Sequence, residues 1–113
     1  MTRIRRFAGN YFLQFDGNYI REFGGSILYQ FDGKYLRRFG GNILYEINGD
    51  NIREFGGPII LQFDGRRIRR FAGNYIAEVD GNRIREFAGS YLYEIDGFLS
   101  HREMMCLIAI LFA

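Results

Sequence analysis

A glycine stands at every eighth position from Gly9 to Gly97, and this spacing divides residues Thr2–Gly97 into twelve octads. The third position of each octad is Ile, Leu or Phe, and the sixth is Phe, Ile or Val. Eight residues are too few for a helix and a turn, but they suit one strand of about six residues followed by a two-residue turn. Pairs of octads repeat at 16 residues, giving six units from Ile4 to Leu99, with Asp-Gly or Asn-Gly closing each unit and Ala-Gly or Gly-Gly at its middle. Asp-Gly and Asn-Gly favour type I′ hairpin turns, whose two central residues both need positive φ. The pattern predicts twelve short antiparallel strands in an up-and-down meander within a single domain, residues 1–113.

The two octads of a unit differ in their facing. Hairpin pairing places positions 2, 4 and 6 of even octads on the same sheet face as positions 1, 3 and 5 of odd ones. In even octads those positions are apolar (Tyr11, Leu13, Phe15; Ile27, Tyr29, Phe31), so this face is expected inside. Position 4 of every odd octad is Arg and falls outside: Arg5, Arg21, Arg37, Arg53, Arg69, Arg85. Regular strands would also put Phe7, Phe23 and Phe39 outside. A bulge near positions 4–5 would instead turn positions 3 and 6 inward together.

After Gly97 the pattern stops. Ser100 and Glu103 form a capping-box signature, and residues 104–113 are ten consecutive apolar residues. A helix apolar on every side is buried, and a bilayer span needs about 20 such residues. Twelve strands tilted about 40° close into a barrel of roughly 12 Å radius, wide enough for one helix along its axis. Closure would also remove the two exposed edges of an open sheet. The expected fold is therefore all-β with one C-terminal helix, residues 100–113, threaded through a closed twelve-stranded barrel formed by residues 2–97. A parallel β-solenoid with a helical cap is the alternative. The alternation Arg6, Glu22, Arg38, Glu54, Arg70, Glu86 would make a complementary ladder in it, whereas six stacked position-4 arginines would repel.

Twelve antiparallel strands followed by a C-terminal hydrophobic helix resemble the closed barrel of the tubby, phospholipid-scramblase and LURP-one-related superfamily. The likeness covers the whole chain and is architectural. It implies a helix inside the barrel and, since tubby proteins bind phosphoinositides, a phosphate-bearing ligand. It brings no binding motif, and the long inter-strand loops of larger members have no counterpart here.

Chemistry is sparse. His101 and Cys106 are five residues apart, about 140° off a common helical face, which argues against a nucleophile–base pair. The turn aspartates lack the Gly-rich context of calcium-binding repeats, and no phosphate-binding loop or HExxH motif occurs. No enzyme activity, cofactor or metal is expected. A formal net charge of +2 is too small for a nucleic-acid footprint. One Cys and a start without an apolar core behind its basic residues suggest a reducing, cytoplasmic setting and a monomer that does not span a membrane. The expected role is a non-catalytic structural or interaction module. The alternative is binding of anionic membrane surfaces or phosphorylated ligands. Its candidate residues are Arg3, Arg5, Arg67, Arg69, Arg83 and Arg85: the second octad position is Arg only in strands 1, 9 and 11, which closure would bring to one side.

Overall fold

The computed structural model describes all residues, Met1–Ala113. The strands are β1 (Thr2–Arg6), β2 (Tyr11–Asp16), β3 (Tyr19–Glu22), β4 (Ile27–Phe31), β5 (Tyr35–Arg38) and β6 (Ile43–Asn48). They continue as β7 (Asn51–Glu54), β8 (Ile59–Phe63), β9 (Arg67–Arg70), β10 (Tyr75–Asp80), β11 (Arg83–Glu86) and β12 (Tyr91–Asp96), followed by α1 (His101–Phe112). Each strand pairs antiparallel with its chain neighbours, and β1 pairs with β12, which closes the barrel. Antiparallel pairing of consecutive strands rules out the solenoid. The molecule is a squat ring, 36 × 36 × 17 Å. Twelve helical residues at 1.5 Å each span about 18 Å, so α1 matches the height of the wall.

Position 3 of the odd strands forms the inner lining: Ile4, Ile20, Leu36, Ile52, Ile68 and Ile84 are essentially inaccessible to solvent. Met105–Ala109 of α1 are buried against this lining, and Ser100 caps the helix with Glu103 in a complete capping box. The chain enters the bore after β12, where Thr2 Oγ1 donates to the Phe98 carbonyl at 2.6 Å. Gly97 has φ +121° there, and a Cβ on it would lie 2.8 Å from Thr2 Oγ1, so the close approach needs glycine.

The wall does carry a bulge, in the even strands rather than at positions 4–5. In the β1–β2 ladder Ile4 pairs with Leu13 but Arg5 pairs with Tyr11, skipping Phe12; the same shift occurs in β3–β4, β5–β6, β7–β8, β9–β10 and β11–β12. The extra residue reverses the facing. Phe12, Leu28, Ile60 and Ile76 pack on the core, while Tyr11, Ile27, Ile43, Ile59, Tyr75 and Tyr91 lie opposite the outward arginines. The expected inward facing of even position 2 is thus overturned. Each bulged residue's carbonyl accepts the backbone N–H of an odd-strand Phe, as in Phe23 to Phe12 at 3.2 Å and Phe7 to Leu92 at 2.9 Å. The six odd-strand Phe rings stay outside, about half exposed, as regular odd strands require.

The turns also differ from expectation. Asp16 pairs with Tyr19, so the two loop residues are Gly17 and Asn18, with only Gly17 at positive φ (+62°). Glycine at the first loop position is the type II′ pattern, not I′. The turns at Gly49 and Gly81 match it. At Asp32 and Asp64 the carboxylate instead accepts the backbone N–H groups of the second and third residues following. Those hydrogen bonds hold both carboxyls below the usual range.

Candidate arginine–tyrosine sector

Outward positions of the wall are filled by octad position. Going from the Ala-Gly/Gly-Gly rim towards the Asp-Gly rim, the sequence of rows is Phe with Tyr or Ile, then the position-4 arginines, then Gln or Glu of the even strands, then position 2 of the odd strands. Closure sets β9, β10, β11, β12, β1 and β2 side by side, and the six candidate arginines fall in this half of the wall.

They fall there as three pairs, each bracketing one tyrosine. Arg3 and Arg5 lie over Tyr11, with guanidinium carbons 5.7 and 5.9 Å from the ring centre. Arg67 and Arg69 lie over Tyr75 at 5.4 and 5.2 Å. Arg83 and Arg85 lie over Tyr91 at 5.1 and 5.3 Å. Cation–π contacts at exposed sites contribute about 0.5–1 kcal/mol each and hold the guanidinium planes in place. Sequence reasoning placed these tyrosines inside and missed them. A signal was present: Tyr occupies even position 2 only where the preceding odd position 2 is Arg (Arg3 with Tyr11, Arg67 with Tyr75, Arg83 with Tyr91), and Ile follows Tyr19, Tyr35 and Asn51.

The two rows of arginine do different work. Arg21, Arg37, Arg53, Arg69 and Arg85 donate from the side chain to the carbonyl of the glycine four residues on, closing the turn beneath them. Arg5 departs from this pattern and donates through Nη2 to Glu94 at 2.7 Å. Of the position-2 arginines, Arg83 Nε lies 3.4 Å from Glu94 and Arg67 Nε 3.7 Å from Glu78, which Arg66 also approaches at 3.4 Å. Partial desolvation raises the Glu94 carboxyl, but the hydrogen bond and charge of Arg5, then Arg83, bring it below its ordinary value. Arg3 has no acidic partner within 4 Å and lies between the Tyr11 and Phe23 rings, 5.8 Å from the latter. Residues 66–96 with 1–16 carry nine arginines against six acidic residues, whereas residues 17–65 carry four arginines and one lysine against six.

Two shallow pockets open in the sector, one at its edge and one within it. One, about 210 Å³, opens between β8, β9 and β10 at Gln62, Arg67, Arg69 and Tyr75. The other, about 270 Å³, lies at Arg5, Tyr11, Glu94 and Asp96. In the second, Tyr11 donates its hydroxyl to Asp96 at 2.8 Å, and that bond, with lesser desolvation, raises the phenol pKa. The His101 ring stacks on Phe63 at 5.5 Å and its Nε2 is 3.1 Å from Asp50 Oδ1, anchoring the helix start. Cys106 is fully buried mid-helix and its thiol pKa is pushed up by desolvation. No helix is long and apolar enough to cross a membrane, and no three His, Cys, Asp or Glu residues are grouped to hold a metal ion. The chain matches no family model, no curated protein and no solved structure.

Proposed function

We propose that this chain is a non-catalytic, monomeric interaction module of the cytoplasm whose β9–β2 half docks onto phosphate-bearing anionic surfaces. The observation that carries this reading is the separation of roles among the arginines. The position-4 row is largely engaged in closing turns, while Arg3, Arg67 and Arg83 are stacked on tyrosine, directed outward, and concentrated in one half of the ring. Guanidinium groups suit bidentate contact with phosphate, and a stacked guanidinium loses less freedom when it binds. Membership of the tubby-like superfamily is part of the same proposal, and that resemblance implies a ligand of the same class. A structural role for five of the six position-4 arginines is supported by their glycine-carbonyl bonds, which are distributed around both halves.

The test is binding to phosphatidylcholine vesicles containing an anionic lipid, at low and physiological salt. Each basic residue at such a surface contributes about 1 kcal/mol, so the Arg67→Glu, Arg83→Glu double variant should bind at least about tenfold more weakly than wild type. Arg21→Glu, Arg53→Glu, which makes the same charge change in the opposite half, should bind like wild type. Equal binding by wild type and the first double variant, or no wild-type binding at low salt, refutes the docking role.

A further inference from the structure

The pocket between β8, β9 and β10 lies where the two halves of the wall meet, and its charges are sorted along the barrel axis. Asp50 and Asp64 stand at its Asp-Gly rim, and Arg67, Gln62, Arg69 and Tyr75 line the wall above them. Two arginines and two aspartates leave the pocket without net charge, so a bare anion gains little from it, whereas a dipolar ligand can satisfy both ends. Arg69 is two residues beyond Arg67 on β9, about 6.6 Å along the strand.

The arginines here differ from their counterparts elsewhere in the ring. Neither Arg67 Nε nor Arg69 Nε has a hydrogen-bond partner, and neither is reached by solvent. In Arg21, Arg37, Arg53 and Arg85 the equivalent Nε donates to a glycine carbonyl. In Arg83 it donates to Glu94. Glu78, the nearest acid to Arg67 Nε, is 3.7 Å away, beyond hydrogen-bonding range. Buried donors without acceptors are rare in folded proteins and mark places where an acceptor is wanted. The pocket itself opens beside Asn51, the one odd-strand position 2 that is neither Arg nor Tyr, whose Oδ1 accepts from Gln62 Nε2 at 3.0 Å. The acidic end already has partners on one oxygen each: Asp64 Oδ1 accepts the Arg66 and Arg67 backbone N–H groups, and Asp50 Oδ1 lies 3.1 Å from His101 Nε2. Oδ2 of each accepts no hydrogen bond from the protein.

We infer that this pocket takes a small zwitterion, with a phosphate at the Arg67–Arg69–Tyr75 end and a primary ammonium at the Asp50–Asp64 end. A modest rotation of each guanidinium over the Tyr75 ring presents its idle Nε–H to a phosphate oxygen, and the ammonium exchanges water for carboxylate oxygens at the rim. The inference rests on the ligand-directed role of Arg67 given above, but it needs only this pocket, not the whole sector.

Calorimetric titration of the full chain with O-phosphoethanolamine, inorganic phosphate and ethanolamine tests it. The zwitterion should bind one site about tenfold or more tighter than either fragment. Arg67→Gln and Arg69→Gln should each weaken it about tenfold, and Asp50→Asn should weaken the zwitterion while binding inorganic phosphate no more weakly than wild type does. Arg38→Gln, on β5 outside both this pocket and the basic half, should change nothing. Inorganic phosphate binding as tightly as O-phosphoethanolamine, or no saturable binding at about 10 mM, overturns the inference. Vesicles of phosphatidylcholine with and without phosphatidylethanolamine separate a lipid headgroup from a free ligand as the source. Binding of O-phosphoethanolamine without docking to anionic vesicles would remove the sector proposal and leave the pocket standing; docking without it would do the reverse.

Discussion

In the hairpins β3–β4, β5–β6 and β7–β8, odd position 2 reads Tyr19, Tyr35, Asn51, even position 2 reads Ile27, Ile43, Ile59, and the connecting turns use Gly24, Gly40 and Gly56. In β9–β10, β11–β12 and β1–β2 the same places read Arg67, Arg83, Arg3, then Tyr75, Tyr91, Tyr11, with Ala72, Ala88 and Ala8 in the turns. Three positions change together, yet the lining at odd position 3 stays Ile or Leu throughout. Inside, the odd strands of both halves present the same kind of side chain to the core. Outside, nothing in the closed ladder requires the halves to match.

The largest effect should show that the interior is the same in both halves. Ile20→Ala and Ile84→Ala each empty an equivalent, fully buried place at odd position 3. Each should cost about 2–5 kcal/mol, and the two should agree to within about 1 kcal/mol. A large disparity in denaturant midpoints would break the equivalence and show that one half of the wall is packed more loosely on α1.

A smaller effect distinguishes the halves through their turns. Ala72 has φ +55° and Gly40 φ +70°, both left-handed. A Cβ is disfavoured there by about 1–2 kcal/mol, so Ala72→Gly should stabilise and Gly40→Ala destabilise, each by about 1 kcal/mol after the loss or gain of chain freedom. If Ala72→Gly instead lowers the thermal midpoint, the alanine turns of the basic half are favoured by contacts that outweigh their backbone strain.

The smallest effect should again be shared. Asp32, in one half, and Asp64, at the border of the other, are held below the ordinary carboxyl value by two backbone donors. A depressed folded pKa gives stability that is fully present above the unfolded value of about 3.9 and is lost as pH falls through the folded one. Asp32→Asn and Asp64→Asn should therefore be less stable than wild type near pH 6, and the gap should close in acid. Chemical denaturation at the two pH values checks this, and a gap that persists in acid would assign the effect to the turn's shape instead of its charge.

The eight-residue glycine spacing carried the strand count, the meander and, with the apolar tail, a closed ring around a helix, because each is a matter of length and period. The facing of even position 2 was harder to read. Tyr11, Phe12 and Leu13 are consecutive and all apolar enough for a core, so hydrophobicity alone does not say which one the bulge turns out. The partner arginine decides it, and that information lies in the pairing of Arg3 with Tyr11 rather than in either residue. The turns were misread for a related reason: Asp-Gly fits the loop of a type I′ turn, but the ladder runs one step further and takes Asp16 into the strand pair. The six candidate arginines were found as a group because closure follows from the strand count. Their division into a largely turn-closing row and a tyrosine-stacked row depends on hydrogen bonds to glycine carbonyls that no periodicity contains.

The ladder between β12 and β1 pairs Asp96 with Arg3, Ile95 with Ile4 and Glu94 with Arg5. This is the same arrangement as Asp16 with Tyr19, Phe15 with Ile20 and Gln14 with Arg21 across a hairpin turn. The seam is thus interchangeable in register with a joint made by continuous chain. A hairpin offered to the wrong edge during folding finds a ladder with every inward side chain still inward, so local pairing gives no warning of the error. Correct assembly must be recognised globally: a ring with a hairpin too few or too many has the wrong bore for α1. The threaded helix therefore acts as a gauge for the circumference, turning a degenerate set of local choices into a single closed count.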